Sequence, residues 1–186
     1  MNFETYLIIF ATIILVERGA EILFFHKGKI KGKLHSDWTT YLMPISYLIF
    51  VIAVVVEYLV IKREMNMMVT AIGLSLWISR FFIKFWGART LGKFWSSHIE
   101  IRDSHKLVNT GPYKYLRHPV YFSNIIDFIG LPMITNSYYV LFSGTIIMIL
   151  LMILRIPFEE KALISKLGDE YKEYQKETYA VIPFIF

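Results

Sequence analysis

Apolar runs of about 20 residues recur along this chain of 186 residues, and they restrict the folds open to it. A helix rising 1.5 Å per residue needs about 20 mostly apolar residues to cross a hydrocarbon core roughly 30 Å thick. Five segments approach that length: residues 6–25, 41–61, 67–86, 116–134 and 138–156. Hydrophobic residues make up 55% of the chain and aromatic residues 17%, more apolar surface than one soluble core of this size can hide. The expectation is an all-α integral membrane bundle of five transmembrane helices, built as a single domain over residues 1–186. The first three helices fall in 1–90.

The loops give an orientation. Residues 62–66 and 135–137 are short connections, so the fourth and fifth segments form an antiparallel hairpin, whereas 87–115 is long, polar and rich in turn formers. Placing the N-terminus outside collects Lys27, Lys29, Lys31, Lys33, Arg89, Lys93, Arg102, Lys106, Lys114, Arg117 and the tail lysines on one face. The other face keeps only Lys62 and Arg63. Basic residues accumulate on the cytoplasmic side of membrane proteins, so the long loop and the tail are expected there. The net charge of +5 is thereby explained by topology, and a nucleic-acid partner is not called for. The first residues lack the basic start of a signal peptide, so the first run reads as a retained helix.

Beyond Pro157, Phe158, Ala162, Leu163, Leu167, Tyr171 and Tyr174 recur at helical spacing between charged residues. An amphipathic helix on the cytoplasmic membrane face is expected, weakened at Gly168 and stopped by Pro183.

Ionisable groups within apolar spans are costly and therefore candidates for function. Asp127 sits mid-way along the fourth segment, and Arg155, Glu159 and Glu160 close the fifth, with Arg155 and Glu159 at i,i+4. A snorkelling arginine beside solvated glutamates is the bland reading of the second group. Glu17, Arg18 and Glu21 form a similar cluster, read either as a structural pairing or as the polar lining of a substrate cavity. The chain has no cysteine, and His98, His105 and His118 lack the spacing and partners of a metal site, so no metal is expected. No glycine-rich phosphate loop is present, and a triad of Ser96, His105 and Asp103 is a combination that many sequences permit.

The block from Asn109 to Tyr121, reading NTGPYKYLRHPVY, resembles the GPY…RHPxY signature of the isoprenylcysteine carboxyl methyltransferase and phospholipid methyltransferase families. Downstream, Arg155, Glu159 and Glu160 match their R-x-x-x-E-E motif. Leu167 to Tyr174, followed by Pro183 and Phe184, is similar to their G-x-E-Y-x-x-Y…P-F tail. The resemblance covers roughly the last 80 residues in order. It implies an S-adenosylmethionine-dependent methyltransferase acting on a lipophilic small molecule drawn from membrane lipid, with residues 91–186 forming the cofactor region.

By motif position, His105, Leu107, Val108 and Tyr113 would line the adenosine side, with His118 and Pro119 shaping the turn into the fourth helix. Ile126, Asp127 and Ile129 would line the same pocket, and Glu160 would meet the methionine amino group. Arg155 would face the acceptor from a lipid-facing tunnel. A carboxylate acceptor is already nucleophilic, whereas a hydroxyl acceptor needs a base, for which His118, Glu159 and Asp127 are candidates. Ser123 replaces a glycine common among relatives, and the R-I-x-x-E-E-K-A-L form resembles a bacterial branch that methylates alkylpyrone-like or alkylresorcinol-like polyketides. A membrane reductase using NADPH on the related sterol-reductase architecture is an alternative reading. A non-catalytic membrane protein is another, although no internal repeat of the kind transporters carry is evident.

Overall fold

The computed structural model describes residues 5, 12–14, 16, 33–34, 38–96, 100–101 and 106–183. Two compact units divide the chain, Met1–Lys31 and Gly32–Phe186. In the first, Thr5, Thr12, Ile13, Ile14 and Val16 are helical. The rest of the expected first span, with its Glu17, Arg18 and Glu21, lies outside the described residues.

The second unit is helical except for a two-residue antiparallel pair, β1 (Lys33–Leu34) with β2 (Glu100–Ile101), and one isolated bridge between Leu116 and Tyr179. Its helices are α1 (Thr39–Ile61), α2 (Met67–Leu91), α3 (Pro119–Ile134), α4 (Tyr138–Leu167) and α5 (Asp169–Glu177). Among the described residues, three helices are long and apolar enough to cross a membrane, in the regions Tyr41–Ile61, Met67–Phe94 and Tyr138–Leu167. Their outward faces carry exposed Leu48, Ile52, Val60, Phe82, Phe142, Ile146 and Leu150, a belt suited to lipid.

The helix boundaries follow from local chemistry. Asn66 caps α2, its side chain accepting from the Met68 and Val69 amides at 3.0 and 3.3 Å. Pro119 opens α3, where its missing amide hydrogen costs nothing. The first amides of α4, Tyr139 and Val140, donate to the Glu57 carboxylate of α1 at 3.1 and 2.8 Å, and Arg63 reaches the same carboxylate at 3.1 Å. Here a neighbouring helix supplies the cap, with a negative charge at the positive end of the helix dipole.

The expected fourth span is shorter than residues 116–134. Helix α3 has 16 residues, about 24 Å, and sits inside the bundle with Ser123, Asp127, Phe128, Gly130 and Leu131 buried. Residues 116–118 are not helical because their backbone pairs with the tail. The Arg117 and His118 amides donate to the Tyr179 and Ala180 carbonyls at 2.8 and 2.9 Å, and the Tyr179 amide to the Tyr115 carbonyl at 3.1 Å. Against α2, α3 packs at close range. A Cβ on Gly73 would lie 2.6 Å from the Met133 Cβ and 2.8 Å from the Gly130 carbonyl oxygen.

The expected division at Pro157 is also revised. A single helix, α4, runs 30 residues through Pro157 to Leu167, about 45 Å and some 15 Å longer than a hydrocarbon core. Pro157 is exposed, so its lost hydrogen bond and ring intrude on no packed neighbour. The break falls at Gly168 instead, in the left-handed region at φ 63°, and α5 follows it. The amphipathic stretch is thus shared between the end of α4 and a separate α5.

Candidate active site

The polar residues of the motifs meet where the start of α3, the last third of α4, α5 and the tail converge. Arg155 and Glu159 are one helical turn apart on α4, and Tyr121 of α3 stands between them. Arg155 is only 3% exposed; its Nε donates to the Tyr121 hydroxyl at 2.7 Å, and its Nη1 reaches Thr39 Oγ1 of α1 at 3.3 Å. The Tyr121 hydroxyl donates in turn to Glu159 Oε2 at 2.6 Å.

Glu159 and Glu160, about 100° apart around the helix, flank the buried imidazole of His118. Its Nδ1 lies 3.8 Å from Glu159 Oε1 and its Nε2 3.2 Å from Glu160 Oε1. The ring also stacks on Tyr121, centroids 5.3 Å apart. Glu160 Oε1 accepts from Arg117 Nε at 2.6 Å and Glu160 Oε2 from Gln175 Nε2 of α5 at 2.7 Å. Arg117 Nη1 also donates to the Gln175 and Thr178 carbonyls, tying the start of α3 to the tail. A continuous polar chain therefore runs from Thr39 through Arg155, Tyr121, Glu159, His118 and Glu160 to Arg117 and Gln175. Two guanidinium groups stand beside two carboxylates along it, so the formal charges of the cluster cancel.

Beside this chain, Tyr113 is buried in the 3₁₀ turn Gly111–Lys114, and its carbonyl accepts from the Tyr174 hydroxyl at 2.6 Å. Burial pushes the Tyr113 phenol well above its ordinary range, with the Glu159 carboxylate adding to the effect. Burial likewise raises the Tyr171 and Tyr174 phenols. All three are neutral donors at physiological pH.

Arg155, Glu159, Glu160 and His118 are thus brought together, with Pro119 and Tyr113 next to them. Leu107 and Val108 lie half-buried in the coil that leads into the turn, and Ile126 and Ile129 are half-buried on α3. Asp127 goes elsewhere. It is six residues, roughly 9 Å, further along α3 than Tyr121, where its Oδ1 lies 3.0 Å from Arg80 Nε of α2. That guanidinium is itself 5.2 Å above Trp77 and 4.2 Å above Phe81. His105 lies outside the described residues. Tyr121, Arg117, Gln175 and Thr39 received no role from the sequence. Tyr121 and Arg117 stood within the quoted motif as pattern letters, whereas nothing local marks Gln175 or Thr39.

The donor set can be tested against S-adenosylmethionine. An amino-acid moiety presents an ammonium that a carboxylate would meet, and Glu160 is such a carboxylate, its oxygens held in place by Arg117, His118 and Gln175. The residues present fit such a group.

Known proteins resemble this chain in sequence and in fold. A protein of Oryza sativa subsp. indica named "Probable protein-S-isoprenylcysteine O-methyltransferase" is 32% identical over 47% of this chain and 46% of its own length. Methanethiol S-methyltransferase 1 of Bradyrhizobium diazoefficiens is 35% identical over 39% of this chain and 24% of its own. The chain therefore spans less than half the length of these two relatives. The solved structure of the eukaryotic intramembrane Ras methyltransferase superposes with a TM-score of 0.68 at 26% identity, covering 75% of this chain and 52% of that one. The family model for isoprenylcysteine carboxyl methyltransferases matches residues 71–165, half of the chain and most of the polar cluster. This chain is a membrane protein belonging to the isoprenylcysteine carboxyl methyltransferase family.

Proposed function

We propose that the protein is an S-adenosylmethionine-dependent methyltransferase that modifies a lipophilic acceptor at the cytoplasmic membrane interface. The observation that carries this reading is the buried Arg155 in the last third of α4, joined through Tyr121, Glu159 and His118 to the Glu160–Arg117 pair. A cation held there meets an acceptor whose tail remains among the lipid-facing helices. The relatives' names point the same way, since they describe methyl transfer to a prenylated cysteine and to methanethiol.

In this reading Glu160 receives the ammonium of the methionine moiety. Tyr113, Leu107, Val108, His118 and Pro119 lie on the adenosine side, with His105 before them and Ile126 and Ile129 along α3. When bound, S-adenosylmethionine supplies an electrophilic methyl group on a sulfonium. The residues of the chain then contribute alignment of the acceptor and exclusion of water, the main requirements of an in-line displacement. Arg155 orients the acceptor, and the stack of His118 on Tyr121 keeps the two ends in register.

Two variants test the division of labour. Glu160→Gln is expected to weaken S-adenosylmethionine binding about tenfold, the effect of removing one charge-assisted contact. Arg155→Ala is expected to lower methyl transfer to a total lipid extract by on the order of a hundredfold while binding stays near wild type. Binding is read by calorimetry and transfer from labelled S-adenosylmethionine. Wild-type rates in both variants would reject the site assignment. NADPH binding by a wild-type protein without affinity for S-adenosylmethionine would reject the function.

A further inference from the structure

The end of α2 carries a surface that the polar cluster does not use. On a helix turning 100° per residue, Phe82, Phe85, Trp86 and Arg89 fall within a sector of about 100°, and all four are exposed. Gly87 and Ala88 lie outside that sector and are buried, with Gly87 against Val120 and Pro119 of α3. Measured along the axis from Met67, Phe82 and Phe85 stand at roughly 22 and 27 Å and Arg89 at about 33 Å. A hydrocarbon core is about 30 Å thick, so the rings end inside it and the guanidinium stands just beyond.

Two lysines widen the cationic part. Lys93 follows in the 3₁₀ turn Gly92–Phe94, and Lys114 closes the turn Gly111–Lys114. That second turn is seated on the same stretch of α2: a Cβ on Gly111 would lie 2.8 Å from Thr90 Oγ1 and 3.2 Å from Trp86 Nε1. Each cation has a ring beside it, Arg89 at 5.8 Å from Phe85, Lys93 at 5.2 Å from Phe94 and Lys114 at 5.8 Å from Tyr115. Arg117, Lys172 and Lys176 have carboxylate partners in Glu160, Asp169 and Glu173. Arg89, Lys93 and Lys114 have none among the described residues.

Snorkelling accounts for a single long cation at a boundary. Three of them, drawn from separate segments around one tryptophan, form a surface that is apolar below and cationic above. A soluble acidic partner would match the upper half alone. A phospholipid matches both, with acyl chains for the rings and a phosphate for the cations. A zwitterionic headgroup brings its own ammonium, which offsets that attraction; an anionic headgroup does not.

We propose that Arg89, Lys93 and Lys114 form a headgroup site for an anionic phospholipid of the adjoining leaflet, its acyl chains lying along Phe82, Phe85 and Trp86. The bound headgroup joins α2 to the turn that carries Tyr113 and so holds that turn in place. The proposal stands on this surface and is independent of the reaction the protein performs.

The test uses the full chain in phosphatidylcholine nanodiscs. Phosphatidylglycerol or phosphatidylcholine, brominated near the headgroup end of the acyl chains, is added at rising mole fraction. Quenching of Trp86, read as the signal lost in Trp86→Phe, is expected at a mole fraction at least about tenfold lower for phosphatidylglycerol, since each basic residue near the surface contributes about fivefold before screening. Arg89→Gln, Lys93→Gln and Lys114→Gln together should bring the two lipids within about twofold, and each single variant should lower the preference by about threefold. Lys172→Gln with Lys176→Gln should leave it unchanged. Should the triple variant fail to fold, the single variants decide. Hydrogen exchange of the Tyr113 and Tyr115 amides, bonded within the turn at 3.1 and 3.2 Å, should slow when phosphatidylglycerol is present.

Equal quenching by both lipids in the native chain would overturn the proposal, and so would a preference that survives in the triple variant. A loss of equal size in the Lys172 and Lys176 variant would point to diffuse charge in place of a site. Displacement of the brominated lipid by inorganic phosphate would show a site for free phosphate instead. Unchanged amide exchange would remove the bridge between α2 and the turn.

Discussion

Asp127 and Arg80 occupy the part of the bundle where an isolated charge is hardest to sustain. Both are nearly inaccessible, at 3% and 2% exposure, and 3.0 Å separates their charged atoms. Removing one partner of such a pair leaves the other uncompensated, at a cost of about 3–5 kcal/mol, whereas replacing both with apolar residues of similar size is often neutral. Asp127→Asn is therefore expected to destabilise the protein by roughly that amount. The double variant Asp127→Leu with Arg80→Leu should recover most of it, as read by unfolding in detergent. A double variant as unstable as the single one would show that the charges do more than neutralise each other. The sequence marks Asp127 as costly, and Arg80 as a cation in an apolar span, but not the bond between them. Their meeting depends on how α2 and α3 are rotated, which the contact of Gly73 with Gly130 and Met133 sets. Tyr121 was hidden for a similar reason. Arg155 and Glu159 share a helical face that spacing reveals, but the phenol between them comes from another helix.

At the scale of elements, apolar length was the most legible property, because a helix must match the hydrocarbon it crosses. It located α1 and α2 to within a few residues and placed the start of α4 at Tyr138. Two boundaries escaped it. Pro157 reads as a stop but lies on an exposed face where a missing backbone bond is tolerated, so α4 continues. Residues 116–118 read as helix but pair with residues 179 and 180, a contact across the chain that no local pattern announces.

The short helix α5 is held mainly by what it buries. Tyr171 and Tyr174 are its buried residues, and Gln175 and the Tyr174 hydroxyl bind Glu160 and the Tyr113 carbonyl. Burial holds the Tyr171 phenol up, with the Glu160 and Glu159 carboxylates acting in the same direction, and burial raises Tyr174. A detached α5 would ionise near the ordinary tyrosine value of about 10, so only above that pH does the undocked form hold fewer protons. Docking is thus at full strength below about pH 10 and weakens as pH rises beyond it. Trypsin cleavage at the exposed Lys172 and Lys176 is expected to accelerate over that range, and in Tyr171→Phe with Tyr174→Phe the acceleration should shrink. Cleavage independent of pH in the native chain would count against phenol burial as the docking force.

In the unit Gly32–Phe186, two polar ends separated by an apolar middle define the direction of the bundle. At one end, the 62–66 and 135–137 connections interlock: Asn136 accepts from the Asn66 amide at 3.0 Å and donates to Thr70 Oγ1 at 2.9 Å, and Arg63 reaches the Asn136 carbonyl at 3.2 Å. At the other end lies the cluster around Glu160. From Tyr138 to Arg155 is 18 residues of unbroken helix, a rise of about 26 Å, close to the thickness of a hydrocarbon core. The two short connections therefore share one face of the membrane, and the motifs and tail share the other. Which face is cytoplasmic is a matter of charge. Lys114, Arg117, Lys161, Lys166, Lys172 and Lys176 gather at the motif end, against Lys62 and Arg63 at the opposite end, where Arg63 is engaged by Glu57. Membrane proteins tend to keep such basic clusters in the cytoplasm, which is the orientation proposed above for the motif end. Because the chain has no cysteine, single replacements report without background. Lys62→Cys and Lys172→Cys are both exposed positions remote from the polar cluster's bonds. In intact bacterial cells, a membrane-impermeant maleimide is expected to label Lys62→Cys at once and Lys172→Cys only after permeabilisation. The reverse pattern would put the methyl donor's side of the protein outside the cell, where S-adenosylmethionine is not made, and would count against both the topology and the proposed function.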